Sequence, residues 1–198
     1  LAGAERVLAA RPTRMVVFES PTNPVTKIAD IARLTEMAHR HGALVVLDNT
    51  FAGLHNHGQF EVDLYVHSLT KFANGHSDVL GGAVIGRVEL IRAIRQVHIL
   101  IGALLDPHAA YLVLRGLKTY FLRYRASSAA AMRVAEFLAT RAEVERVHYP
   151  GLASHPQYAL AAAQMHDFGG VVAFDLVGGE PAATVFCEAL ELFGLAAS

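Results

Sequence analysis

The sequence reads as an α/β protein built on a mostly parallel sheet covered by helices. Three observations point there. Short apolar runs of strand length recur through the first half of the chain. Segments with helical spacing lie between or after them. The runs are apolar on successive residues rather than alternating, as in strands buried on both faces.

The first ten residues read as a helix. Met15 to Ser20 is a buried-strand run closed by the turn cluster Pro-Thr-Asn-Pro. Ile28 to His41 has helical spacing: Ile28, Ile31, Leu34 and Ala38 share a face, and Gly42 ends the helix in the usual position. Ala43 to Asp48, Asp63 to Ser68 and Val79 to Gly86 are the next strand runs. Glu89 to Gly102 reads as a helix. Asp106-Pro107 then offers an N-cap with proline at the first helical position. Helical signal continues to about Thr140, with Gly116 as its one weak point. Val144 to Tyr149 and Gly170 to Val177 are strand candidates, and His155 to Met165 and Pro181 to Leu195 are helix candidates. A domain boundary is expected inside the long helical stretch near Tyr124, separating residues 1–124 from 125–198.

The chain has 198 residues, with 17 Lys and Arg against 18 Asp and Glu, 53% hydrophobic and 18% charged residues. That composition excludes a disordered chain. Without a basic excess or stripe it also argues against a dedicated nucleic-acid binder. No run reaches the length of a membrane span, and no signal peptide is recognisable. The single cysteine, Cys187, rules out an intrachain disulfide framework and suits a reducing compartment, so a cytoplasmic location is expected. Leu1 in place of Met, and a helix already under way, suggest a piece of a longer polypeptide.

In open α/β sheets, ligands bind outside the carboxyl ends of the strands. Those ends carry Ser20, Pro21, Thr22, Asn23 and Pro24, then Asp48, Asn49 and Thr50, then Ser68, Thr70 and Lys71. Asp48 follows five apolar residues. An unpaired carboxylate there is costly, so it either caps the next segment or faces a cation such as a protonated heterocycle. Lysine usually snorkels to solvent. Lys71 instead follows two hydroxyl residues at a strand end, where a desolvated amine becomes a nucleophile. Ser68 and Thr70 could donate to a phosphate, and the glycines of Gly75 to Gly82 permit close approach of backbone to a ligand. An acid, an amine and hydroxyls at neighbouring strand ends match what pyridoxal phosphate requires.

Five segments carry a resemblance: ESPTNP (Glu19 to Pro24), DIARLTEMAHRHGALVVLDNTF (Asp30 to Phe51), HSLTKFANGHSDVLGG (His67 to Gly82), YLVLRGLKTYFLR (Tyr111 to Arg123) and YPGLASHPQ (Tyr149 to Gln157). In order and spacing they resemble the Cys/Met-metabolism family of pyridoxal-phosphate enzymes, which includes cystathionine γ-synthase, cystathionine γ-lyase, methionine γ-lyase and O-acetylhomoserine sulfhydrylase. The resemblance implies an aspartate-aminotransferase-like fold: the rear half of a large α/β domain, then the front of a smaller one. It implies that Lys71 is the Schiff-base lysine and proton shuttle, that Asp48 pairs with the pyridine nitrogen, and that Ser68 and Thr70 bind the phosphate. By the same resemblance Asn23 contacts the cofactor's phenolic oxygen and Thr50 lies near the ring. It further implies a homotetramer built as a dimer of dimers, and γ-elimination or γ-replacement on sulfur-containing or homoserine-derived amino acids.

The family places a Gly-rich phosphate loop and a ring-stacking tyrosine upstream of Leu1, and the arginine for the substrate carboxylate downstream of Ser198. Three alternatives therefore stay open: a β-lyase of the same family, a non-catalytic fragment lacking those parts, and a metal-binding module. Phe51 tilts the first comparison towards the γ group, because some β-lyases carry Trp there. Eleven histidines lack a completing Cys or acid at ordinary ligand spacing, so no dedicated metal site is expected. His55, Asn56 and His57, just beyond Asp48, are expected on the substrate side. Arg115, Lys118, Arg123 and Arg125 are expected in packing and salt bridges.

Overall fold

The computed structural model describes residues 1–195. The elements run α1 (Ala2–Ala10), β1 (Met15–Glu19), α2 (Ile31–Arg40), β2 (Leu44–Asp48), β3 (Leu64–Ser68), β4 (Gly82–Gly86), α3 (Val88–Ile101), α4 (Pro107–Leu117), α5 (Tyr120–Ala139), β5 (Val144–His148), α6 (Tyr158–Gln164), β6 (Ala173–Leu176) and α7 (Gly179–Glu188). One tight helical turn, Leu69–Ala73, separates β3 from β4 and carries Lys71; it is called the lysine turn below.

The first sheet has the order β1-β2-β3-β4. Its first three strands are parallel and β4 is antiparallel to β3. The register sets Glu19 beside Asp48 and Asp48 beside Val66, so three carboxyl ends open on one edge. α2 starts where the Asp30 side chain accepts a hydrogen bond from Arg33 N (3.1 Å). It lays Ile31, Met37 and Ala38 on Val45 and Leu47, and α1 adds Leu8 to that core. The central strand β2 is buried on both faces, as its unbroken apolar run predicts. Edge strand β1 is not: Val16 and Phe18 pack on the core, whereas Val17 is 65% exposed.

The long helical stretch is divided at Lys118 and Thr119, just after its glycine. Gly116 is buried against the lysine turn, where a Cβ would overlap the Asn74 carbonyl. The early residues of α5 touch the loop that follows β2, with Tyr124 Oη donating to Ala52 O (2.7 Å). Its later residues, Ala131 and Ala135, pack with Tyr149 and Leu152. β5 and β6 form a second, antiparallel sheet. Two glutamines join the halves. Gln157 bonds both Ile28 N and Ile28 O, and Gln164 bonds Ile31 N and Ala29 O. The last helix is shorter than predicted, ending at Glu188, because beyond it Leu192 and Phe193 lie exposed and find no surface to stabilise further turns.

Candidate active site

The site grows from the carboxyl ends of β1, β2 and β3. Asp48 closes β2 directly after fully buried Leu47. Its Oδ1 accepts from Thr50 N at 3.0 Å, a local turn that aims the chain across the top of the sheet. The Thr50 hydroxyl then accepts from Ser68 N at 2.9 Å, tying the end of β2 to the end of β3. Asn49 N, donating to Val66 O at 2.9 Å, reinforces the same junction.

After Ser68 the chain enters the lysine turn. Asn74 N donates to Leu69 O (2.9 Å) and Gly75 N to Lys71 O (2.8 Å). Lys71 itself leaves helical geometry, with φ −82° and ψ −124°. Thr70 Oγ1 accepts from Gly81 N at 3.0 Å, which leaves its hydroxyl proton for donation elsewhere. On the β1 side, Glu19 Oε2 accepts from Asn23 N at 3.1 Å and shapes the turn that presents Asn23.

These ends enclose a cavity of about 980 Å³. All six residues expected from the sequence line it: Asn23, Asp48, Thr50, Ser68, Thr70 and Lys71. Thr50 has a more structural part than expected, since its hydroxyl oxygen is already engaged by Ser68 N. His67, next to Ser68, is buried. Burial drives its pKa down, and the negative charge of Asp48 opposes that shift.

Sequence reasoning missed other lining residues, among them Glu19, Phe72, Asp78, Arg123 and Ser127. Arg123 and Ser127 come from α5, which no local pattern connects to the strand ends. Asp78 was in plain view within Gly75 to Gly82. It accepts from Asn74 Nδ2 (2.6 Å) and Arg115 Nη2 (2.7 Å); the Asn74 bond above all, helped by the charge and bond of Arg115, holds its carboxyl below the usual range against the opposing effect of desolvation.

The 55–57 loop is not on the substrate side; none of its residues lines the cavity. It forms a buried polar knot instead. His57 is fully buried, with Nδ1 bonded to Asn49 Oδ1 at 2.7 Å, and burial lowers its pKa from 6.5 to about 4. His55 meets Tyr120 Oη at 2.9 Å and packs edge-on to Tyr124. The reason is the turn after Asp48: it sends the chain back into the protein, where Asn49 Nδ2 donates to Gly53 O and Asn56 O.

The sequence profile of the family described as "Cys/Met metabolism PLP-dependent enzyme" matches residues 3–198. The chain belongs to this family.

Among relatives of this Cys/Met-metabolism enzyme chain, L-methionine gamma-lyase of Pseudomonas putida is 47% identical over 190 residues, covering 94% of this chain and 48% of that protein. The chloroplastic cystathionine gamma-synthase 1 of Arabidopsis thaliana is 40% identical over 194 residues, covering 97% of this chain and 34% of that protein. The crystal structure of cystathionine gamma synthase from Xanthomonas oryzae pv. oryzae in complex with aminoacrylate and cysteine superposes with a TM-score of 0.94 at 40% identity, covering all of this chain and 52% of that one. The chain thus spans about half the length, or less, of the relatives it matches, and its fold is that of these α/β enzymes.

The family's cofactor, pyridoxal 5′-phosphate, finds a suitable donor set here. A single cavity brings together one amine, a carboxylate at a strand end, a side-chain amide and hydroxyls with protons to donate. Among the described residues the Asp48 carboxylate accepts one protein hydrogen bond, so it keeps acceptor capacity for a ring N–H.

Proposed function

We propose that this chain carries the lysine-bearing half of a pyridoxal-phosphate enzyme. It would act by γ-elimination or γ-replacement on sulfur-containing or homoserine-derived amino acids. The convergence of Lys71 and Asp48 in one cavity carries this reading. The γ assignment is supported by the names of the relatives, gamma-lyase and gamma-synthase, and by Phe51 on the cavity wall.

Bound pyridoxal phosphate would supply an electron sink for a carbanion on the substrate. Asp48 would hold a proton on the ring nitrogen, and Asn23 would donate to the phenolic oxygen. Ser68 and Thr70 would donate hydroxyl protons to the phosphate, with Thr50 keeping the strand ends in register beside them. Lys71 Nζ would hold the cofactor until a substrate amine displaces it. The freed amine would then take and return protons at the substrate's Cα and Cβ, so that the group on Cγ can leave.

The division of labour follows α5. We propose a domain boundary within α5, near Tyr124, because α5 lines the cavity through Arg123 and Ser127 while its later residues Ala131 and Ala135 pack with Tyr149 and Leu152. A homotetrameric assembly and a cytoplasmic setting complete the proposal. The first rests on the family resemblance and the second on a lone free cysteine, Cys187. No helix among the described residues is long and apolar enough to cross a membrane.

The test is borohydride reduction of the cofactor-loaded protein followed by peptide mass spectrometry. A pyridoxyl mass increment on the Lys71 peptide, absent in Lys71→Ala, is expected. An increment only on another lysine overturns the assignment. Release of a thiol with 2-oxobutyrate from methionine, or of cysteine rather than homocysteine from cystathionine, separates the γ reading from β-cleavage.

A further inference from the structure

Arg123 is the residue of the cavity wall whose bonding least resembles a surface arginine. Of the expected packing and salt-bridge roles, only packing holds: among the described residues no carboxylate pairs with it. Its guanidinium is spent on backbone instead. Nη1 donates to Phe72 O at 3.0 Å, and Nη2 donates to Ala73 O at 3.2 Å and Gly116 O at 2.8 Å. Nε donates to Thr119 Oγ1 at 3.0 Å.

Those carbonyls have a common physical character. Phe72 and Ala73 are the last residues of the lysine turn, and Gly116 lies in the last turn of α4. The final carbonyls of a helical segment have no partner within it and carry partial negative charge. Two such ends meet here, which is unfavourable unless a cation with several donors sits between them. A planar guanidinium has the donors to serve both at once, and a lysine ammonium does not match that fork.

The seam is also built for close approach. Gly75 has φ +71°, and a Cβ there would overlap Arg123 Nη1. At Gly116 a Cβ would overlap the Asn74 carbonyl. Both glycines lie where the lysine turn meets α4 and α5, so any larger residue would push Arg123 or the turn away. Burial lowers the pKa of Arg123, a cost offset by its backbone acceptors, with Tyr120 as a smaller favourable influence.

We propose that Arg123 is a positioning residue for Lys71: by holding the carbonyls of the two residues that follow it, Arg123 fixes where the lysine amine enters the cavity. This rests on the reading of Lys71 given above. It acts through the backbone and takes no part in proton transfer.

The experiment compares wild type, Arg123→Met and Arg123→Lys, each checked for folding by circular dichroism and then loaded with pyridoxal phosphate. Two quantities are read at a temperature where the variants are folded: the rate at which borohydride-trappable cofactor appears on the Lys71 peptide, and the total cofactor affinity. Arg123→Met is expected to slow attachment on the order of tenfold to a hundredfold, with affinity changed much less. Arg123→Lys is expected to recover little of the loss. Millimolar guanidinium added to Arg123→Ala is expected to restore part of the rate.

Attachment at the wild-type rate in a folded Arg123→Met overturns the proposal. If that variant does not fold, a folded Arg123→Lys with the wild-type rate does so. Failure of both variants to fold, with wild type labelled normally, assigns Arg123 to stability alone and also overturns it. Absence of label on Lys71 in wild type instead removes the reading of Lys71.

Discussion

Two aspartates stand on adjacent strands of one sheet, at opposite edges. Asp63 lies just before β3, at the amino edge; Asp48 ends β2, at the carboxyl edge. Asp63 is only 3% exposed and fully served: it accepts from His39 Nε2 (2.8 Å), Val45 N (2.7 Å) and the Arg87 guanidinium. Burial alone would raise its pKa. The bonds from His39 and Val45 N, with the charges of His39 and Arg87, overcome this and hold it below the usual carboxylate range. Asp48 is half-buried and, among the described residues, accepts from Thr50 N alone. The difference separates a carboxylate that holds the fold together from one with bonding capacity left for a ligand.

The largest effect should come from the satisfied acid. Asp63→Ala strands the buried Val45 N–H and leaves Arg87 without its partner, and should cost about 3 kcal/mol in urea denaturation. A loss under about 1 kcal/mol would break the contrast. Asp63 also sets a pH window. Its contribution is complete above the ordinary carboxyl value of 3.8 and is lost as pH falls through its lowered folded value.

The buried knot beyond Asp48 behaves like the Asp63 edge but titrates higher. Below pH 6.5 the unfolded chain protonates His57, whereas the folded chain resists until about pH 4. Stability should therefore fall as pH drops through that window, by roughly 3 kcal/mol in all. His57→Gln should remove this part of the slope; an unchanged slope would assign it elsewhere. Thr50→Val removes the acceptor for Ser68 N and should cost about 1 kcal/mol, measured by the same denaturation.

The smallest stability effect sharpens the contrast most. Asp48→Asn keeps an oxygen for Thr50 N, so it should change stability by less than about 0.5 kcal/mol. It should nonetheless weaken pyridoxal-phosphate binding by roughly tenfold or more, the worth of one charge-assisted hydrogen bond. Equal effects of Asp48→Asn and Asp63→Asn on stability would erase the distinction between the two edges.

Much of the strand end was legible because its signal is local. Apolar runs closing in Asp48 and in Ser68 mark where parallel strands stop, and the chemistry sits there. Gly116 was legible as the weak point of a helix, but not as the place where α4 meets the lysine turn. The 55–57 loop misled because its position after Asp48 looks functional. Its direction is set by Asn49 and by tyrosines of α5, about 65 residues later in the chain. Asp63 was read only as the start of a strand, since its partners His39 and Arg87 each lie 24 residues away.

By itself the sequence determined the α/β class, the helix and strand order, the family, and the six residues that meet at the strand ends. The class and the order follow from periodicity and capping, which act over a few residues; the family and the choice of those six residues follow from the resemblance that its motifs carry. Only the tertiary structure decided which polar groups are already satisfied and which remain open. It placed Arg123 on carbonyls 50 and 51 residues earlier and closed the 55–57 loop away from the cavity. The physical reason is that hydrogen-bond satisfaction of a buried group depends on what packs against it, and packing partners come from anywhere in the chain.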